Sequence, residues 1–360
     1  MTSRSHSPGF RSVRLYYFSG TGNAHATARW IGRQAESAGI PSTLIPIAEM
    51  ENRKVTGVPA DTLIGFCGPT HGFNYPPLML HFIFRFASGR GNPAFVVNTR
   101  AGMKAGRRFL PGISGVALLL PALVLRLKGY GIRGMRSVDL PSNWISLHPG
   151  IRTGVVNSII ARRKRDVEEF AGRILTGRKM LRSLRDLPLD LLVTPLALLY
   201  YIFARFVFAK TFIASSKCTH CGLCVDKCPV NAIRVVDDRC FWTHRCESCM
   251  QCMNSCPERA IETAHGFIIG VSILLYSGLL AWLHNYCQIP ERMEQLMSAG
   301  LTRFLVFAMN SLIYLLLIFL FYRIMHFLMR FRLFERMMVL SSLTFYRFWR
   351  RYRPSREQWH

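Results

Sequence analysis

Cys218-Thr-His-Cys221-Gly-Leu-Cys224-Val-Asp-Lys-Cys228-Pro229 is followed, 28 residues on, by Cys246-Glu-Ser-Cys249-Met-Gln-Cys252-Met-Asn-Ser-Cys256-Pro257. Both read Cys-x2-Cys-x2-Cys-x3-Cys-Pro. Thiolates are the ligands iron–sulfur clusters need, and this spacing is that of a [4Fe–4S] ligand run. Zinc sites use two Cys-x2-Cys pairs parted by a longer loop, which is a different pattern. Where two such runs share a chain, the fourth cysteine of each ligates the other run's cluster. The expected sets are Cys218, Cys221, Cys224 with Cys256, and Cys246, Cys249, Cys252 with Cys228. Eight of the eleven cysteines are so used. Cys67, Cys240 and Cys287 receive no role, because free cysteines are usually small buried hydrophobes.

The tails repeat too, as Cys-Pro-Val-Asn-Ala-Ile at Cys228–Ile233 and Cys-Pro-Glu-Arg-Ala-Ile at Cys256–Ile261. An internal duplication explains this, each half giving a short hairpin and a turn of helix. Residues 215–265 resemble a bacterial two-cluster ferredoxin. The resemblance implies a small α+β domain that carries single electrons.

Working outward, the composition is half hydrophobic, which points to membrane segments. Residues 1–18 contain no apolar stretch long enough for a signal peptide, so clusters are expected to be assembled in the cytoplasm. The net charge is +26, of which +18 falls within residues 1–186; residues 215–265 are neutral. No nucleic-acid-binding module accompanies the basic excess, so no nucleic-acid partner is expected. An anionic inner-leaflet surface attracts polybasic segments and is the expected counterpart.

Ahead of the cysteines, Arg14–Phe18 reads as a short buried strand. The turn Ser19-Gly20-Thr21-Gly22-Asn23-Ala24 follows, then a helical stretch to Ala38. A strand, a Gly- and hydroxyl-rich turn and a helix start together make an anion site, because first-turn N–H groups point at a phosphate. Candidate strands recur at Thr43–Ile47, Thr62–Cys67, Phe95–Asn98 and Ser137–Leu140, with helices expected at Pro77–Ala87, at Phe109–Lys128 and from near Thr153. Alternating strands and helices imply a doubly wound α/β parallel sheet, with ligands at the carboxyl ends of its strands.

Residues 12–178 resemble a flavodoxin. The loop Ser19–Ala24 is similar to the FMN-phosphate loop, although Ala24 stands where that loop often ends in Thr or Ser. Gly68–Tyr75, with Thr70, His71, Gly72 and Phe73, and Asn98–Gly102, with Thr99, fall where flavodoxins wrap the flavin ring. Phe73, Tyr75 and Trp144 are candidates for stacking or for packing. The order of the two resemblances is that of the prokaryotic flavodoxin–ferredoxin fusion proteins, which implies electron transfer with FMN and two [4Fe–4S] clusters.

Two apolar runs, about 267–286 and 304–326 within 267–331, approach the ~20 residues a bilayer span needs. Arginines crowd the basic tail 332–360, whereas the loop Cys287–Thr302 has few, so the tail and both soluble domains are expected on the cytoplasmic side of the inner membrane. Arg330–Arg353 mixes arginines with aromatic and aliphatic residues, which suits an interfacial helix. Residues 187–213 are apolar with Pro195, Arg205 and Lys210 inside; they are expected to lie in the membrane plane or re-enter it, the alternatives being a span or a helix buried between domains.

The expected function is a membrane-anchored relay between a cytoplasmic redox protein and a membrane acceptor, possible acceptors including a quinone. The alternatives are a flavin-dependent quinone reductase and a non-catalytic ferredoxin subunit whose first domain docks without flavin. No acid/base pair, nucleophile motif or nicotinamide fingerprint is visible, so no catalytic residue is assigned.

Overall fold

The computed structural model describes residues 10–50, 57–287 and 298–349. They fall into two compact units: residues 10–201 with Cys249–Asn254, and Ile202–Ser248 with residues 255–349.

In the first unit, strands β1 (Ser12–Tyr17), β2 (Ser42–Pro46), β3 (Thr62–Pro69), β4 (Pro93–Ala105) and β6 (Gly131–Pro141) form a parallel sheet in the order β2-β1-β3-β4-β6. Side chains alternate across it, so each face needs its own cover. Val13, Leu15, Leu63, Phe95 and Val97 pack under α1 (Asn23–Ser37) and α4 (Thr153–Leu175), which contribute Ala28, Ile31, Val167 and Phe170. Tyr16, Ile64, Phe66 and Val96 pack under α2 (Pro77–Arg85) and α3 (Leu119–Leu127), through Met79, Ile83 and Leu125. Helices on both faces make the sheet doubly wound, a flavodoxin-like architecture.

Two expectations fail here. Asn98–Gly102 is not a loop: β4 runs straight through it, pairing with β6 from Asn98↔Ser137 to Gly102↔Pro141. Arg100, within it, is held by the neighbouring strand: its Nε donates to Asp139 Oδ1 at 2.7 Å. The helix expected over Phe109–Lys128 begins only at Leu119. Arg108–Leu110 is instead β5, antiparallel to the end of β4. Pro111 and Gly112 keep the intervening chain out of a helix, and a 3-10 turn at Gly115–Ala117 then leads into α3.

In the second unit, β7 (Phe212–Ala214) pairs antiparallel with β10 (Ile261–Thr263), and β8 (Ile233–Val236) with β9 (Arg239–Trp242). These strands pack on the long helix Ala299–Leu328: Ile213 and Phe241 share a core with Phe267, Val271, Ile318, Tyr322 and Met325. Tyr322 OH donates to Phe212 O at 3.0 Å and accepts from Trp242 N at 3.2 Å, fastening the strands to that helix.

Among the described residues, Ala299–Leu328 alone is long and apolar enough to cross a membrane, with mean hydropathy 2.5 and 11% of its most apolar window buried. The count rises to two if the bent pair Arg182–Leu192 and Thr194–Ala209 is one broken span. The two-span, multi-pass expectation is not supported. Its first span lies on helical chain from His265 to Cys287, interrupted by a π-turn at Leu274–Leu280, whose apolar part His265–Leu280 is shorter than a span needs. The expected segment 187–213 is broken as well, bending by 73° between Leu192 and Thr194, just ahead of Pro195. Of the tail, Arg332–Leu340 is helical. The expected loop arginine and acids at 291–294, and the tail from 350, lie outside the described residues.

Candidate functional site

In the second unit, Cys218, Cys221, Cys224 and Cys256 line one cavity of about 310 Å³. These are the three leading cysteines of the first run and the last of the second. The cavity is walled by the hairpin residues Val235 and Cys240 and by Leu223 and Ile261. Among the described residues no three His, Cys, Asp or Glu converge as for a single ion; the four cysteines share the wall of one space. A four-iron cube takes one thiolate per iron, so a ring of sulfurs is the arrangement it needs.

The duplication is written in the backbone. Left-handed φ angles occur at His220 and Ser248, at Gly222 and Met250, and at Asn231 and Arg259, each pair 28 residues apart. Successive left-handed turns fold amides inward, as anion nests do. The same offset relates two amide–sulfur bonds: Ala232 N donates to Cys228 Sγ at 3.2 Å and Ala260 N to Cys256 Sγ at 3.3 Å. Such bonds stabilise thiolate charge and raise a cluster's potential. The unit boundary passes through the second run, leaving Cys249 and Cys252 in the first unit and Cys246 and Cys256 in the second. Within the second unit burial pushes the Cys246 thiol up to about 12, the proximity of Cys228 adding to the rise.

Sequence reasoning missed Cys240. It is buried on β9 with its sulfur 3.6 Å from Cys224 Sγ, and their hydrogen bond draws Cys224 down to about 7. The alternation of β9, which turns Cys240 and Trp242 to one side, was the available signal. Lys210 was also passed over. Its ammonium is 2% exposed, donates to Trp242 O at 2.6 Å, and is lowered by burial to about 8.

In the first unit the candidate cofactor residues gather at the carboxyl end of the sheet. Gly22, at φ +93°, precedes α1, and its N–H donates to Ser19 Oγ at 3.0 Å. Only glycine adopts that angle without strain. Helix-opening N–H groups point toward the start of a helix, so the loop Ser19–Ala24, which leads into α1, is placed to act as an anion cradle. Gly20 faces the Cys249 backbone of the same unit, where a Cβ would fall 2.3 Å from the carbonyl oxygen. Asn23 Nδ2 donates to Pro141 O at 2.8 Å, and Thr21 Oγ1 accepts from Asn143 Nδ2 at 2.6 Å. Ala24 is buried and offers no hydroxyl.

Nearby, Thr70 Oγ1 accepts from Asn98 Nδ2 at 2.7 Å, and Thr70 N donates to Thr99 O. Thr70–Phe73 is a tight turn with Gly72 and Phe73 both left-handed. A Cβ on Gly72 would meet the Tyr200 ring at 2.0 Å. His71 stacks on Trp144 at 6.3 Å, and Trp144 meets Tyr200 edge-on at 5.9 Å. Tyr75 is a packing residue: it is 1% exposed and its OH donates to Val97 O at 2.7 Å. Gly102, two residues beyond Arg100 on β4, packs against Asp139 instead of lining a loop. Two buried acceptors, Asn98 Oδ1 and Asn143 Oδ1, have no hydrogen-bond partner. A buried unsatisfied acceptor is costly, and a ligand carrying N–H and O–H donors would relieve it. The residues therefore fit a phosphate-bearing ligand with a polar ring edge, which FMN is. Asn143 was not foreseen; its signal was its place just past the last parallel strand.

Two sequence families described as 4Fe-4S binding domains match residues 212–234 and 243–259. No curated protein matches the chain. Among solved structures, a flavodoxin from the domain Archaea is 15% identical, covering 44% of this chain and 98% of its own, with TM-score 0.26. Flavodoxin 1 from Bacillus cereus is 16% identical over 44% of this chain and 97% of its own, TM-score 0.27. General stress protein 14 from Treponema denticola, solved in complex with FMN, is 13% identical over 44% and 97%, TM-score 0.30. Scores this low carry no argument; the strand order itself defines the sheet. A flavodoxin-like sheet followed by 4Fe-4S binding domains is a flavodoxin–ferredoxin arrangement, and the chain is an electron-transfer protein carrying 4Fe-4S clusters.

Proposed function

We propose that this chain relays single electrons between a cytoplasmic donor and an acceptor at the membrane, with FMN held in the first unit and two [4Fe–4S] clusters on crossed sets of cysteines. The observation that carries this reading is the cavity where Cys218, Cys221, Cys224 and Cys256 come together across 38 residues of chain. When bound, clusters supply one-electron exchange, and a flavin supplies conversion between electron pairs and single electrons.

The chain's own residues do the rest. The eight thiolates hold iron, and the Ala232 and Ala260 amides hold charge on two of the sulfurs. The Ser19–Ala24 loop would take the flavin phosphate, and Asn98 and Asn143 would accept from the ring edge and ribityl hydroxyls. Thr70–Phe73 would border the ring. Ala299–Leu328 would anchor the chain in the inner membrane, with both units cytoplasmic and the basic excess toward anionic lipid. Fastening of β7 and β9 to that helix by Tyr322 keeps the first run close to the bilayer, where a quinone or a membrane redox protein is the acceptor.

The test is anaerobic purification of the full chain in mild detergent, with flavin and iron measured in one sample. About one FMN and eight iron atoms per chain are expected. Eight irons and no flavin, even after adding FMN, would remove the flavin from this reading and leave a ferredoxin subunit with a docking domain. Recovery of the chain in the soluble fraction without detergent would remove the membrane anchor.

A further inference from the structure

The first unit contains a second cavity, of about 580 Å³, which shares no lining residue with the Ser19–Ala24 loop. It opens at the β6 edge of the sheet, between the β4–β5 hairpin, α4 and the turn Arg182–Asp186. Seven arginines and three aspartates line it, a balance of +4. The carboxylates are consumed by two of the seven. Arg100 pairs with Asp139 at 2.7 Å and Asp186 at 3.0 Å; Arg163 pairs with Asp166 at 2.7 Å and Asp139 at 3.4 Å. Arg107, Arg136, Arg162, Arg182 and Arg185 form no ion pair among the described residues.

Arg136 is the informative member. Its Nε is buried without a hydrogen-bond partner, as is that of Arg163. Burial holds the Arg136 guanidinium below its ordinary pKa; Asp166 and Asp139 favour its charge, and Arg182 and Arg163 repel it. A buried unsatisfied donor beside like charges is unfavourable unless an anion completes the site.

We propose that this cavity binds a pyrophosphate group. Planar guanidinium forks grip phosphate oxygens two at a time, and five of them outmatch a single monoanion. The only aromatic face lining the cavity, Phe109, is already covered by Lys104, Arg162 and Arg163 at 5.0–5.8 Å. Recognition therefore rests on the phosphates and not on a stacked base, so free pyrophosphate and a nucleoside diphosphate share the chemistry. This inference is independent of what the cysteines and the sheet's carboxyl end hold.

The test is calorimetric titration of the full-length protein in detergent with inorganic pyrophosphate, ADP, adenosine and sulfate. Pyrophosphate should bind, ADP should bind at least as well, and adenosine should not. ADP and pyrophosphate binding alike would identify the pyrophosphate as sufficient; tighter ADP would identify a nucleotide. Arg136→Gln should weaken binding about tenfold or more, and the exposed Arg182→Ala, which spares the buried network, by several fold. Pyrophosphate binding no better than sulfate, or unaffected by both variants, would overturn the proposal. Poly-glutamate binding in place of pyrophosphate would also overturn it, in favour of an acidic protein partner.

Discussion

The two cysteine runs share a spacing and a set of left-handed turns, yet they sit in different surroundings. In the first run Cys221 is exposed, as are Thr219 and His220, and the sulfurs line an open cavity. In the second, Glu247, Ser248, Met250, Met253 and Asn254 are all buried. Local sequence fixes how a run wraps its iron; the surroundings fix how easily an electron is added. Burial disfavours the more negative reduced state, and Cys246, whose thiol is pushed up by burial, shows the same penalty on a single sulfur.

The sharpest way to break this comparison is to remove the crossing cysteines. Cys256→Ala should cost about four of eight irons and spare the less solvent-accessible cluster, whereas Cys228→Ala should spare the more accessible one. Iron content and the rate of bleaching by a hydrophilic chelator report both. If Cys256→Ala instead leaves the fast-bleaching cluster, the ligand sets are not crossed.

A smaller effect separates the potentials. The cluster set of Cys246, Cys249, Cys252 and Cys228 should titrate at the lower potential in an EPR-monitored redox titration. Cys240→Ala, which removes the partner of Cys224, should move only the higher one. A single unresolved potential for both would remove the distinction.

The smallest test compares Gly222 with Met250, which hold the same backbone angle. Gly222→Met should destabilise by roughly 1–2 kcal/mol, the usual cost of a side chain in the left-handed region. Met250→Gly should gain no such amount, because Met250 is 3% exposed and accepts a hydrogen bond from Ser146 Oγ at 3.4 Å. Thermal melts of both variants check this, and equal and opposite shifts would show that surroundings do not matter.

Legibility in the sequence followed how local each feature is. The cysteine runs repeat at short fixed spacings, so they stand out in the chain, and so does the βα turn at Ser19–Ala24. The places of β1 to β3 followed from their short apolar runs, though their bounds differ from those expected by up to about two residues. Asn98-Thr-Arg-Ala-Gly102 reads as a turn because nothing in those five residues announces Asp139, the partner that lets Arg100 stay in a strand. Apolar content suggested a helix from Phe109, but pairing of Arg108–Leu110 with β4 and the breakers Pro111 and Gly112 outweighed it. Apolar content also suggested two spans within 267–331, where among the described residues only Ala299–Leu328 is both long and apolar enough. The arginine cavity draws on four separate stretches between residues 100 and 186, and no window of sequence contains it.

Ser114 carries a consequence of its own. Its buried hydroxyl oxygen accepts from Asn98 Nδ2 and from Arg100 Nη1, both at 3.1 Å, and lies 2.9 Å from Ser137 Oγ. A hydroxyl has one proton, and with both lone pairs taken that proton must point to Ser137. Asn98, Ser114 and Ser137 form a polarised wire whose direction is set by counting donors, running from the edge of the proposed flavin site to the wall of the arginine cavity. Its electrical sense cannot reverse while Asn98 and Arg100 stay in place.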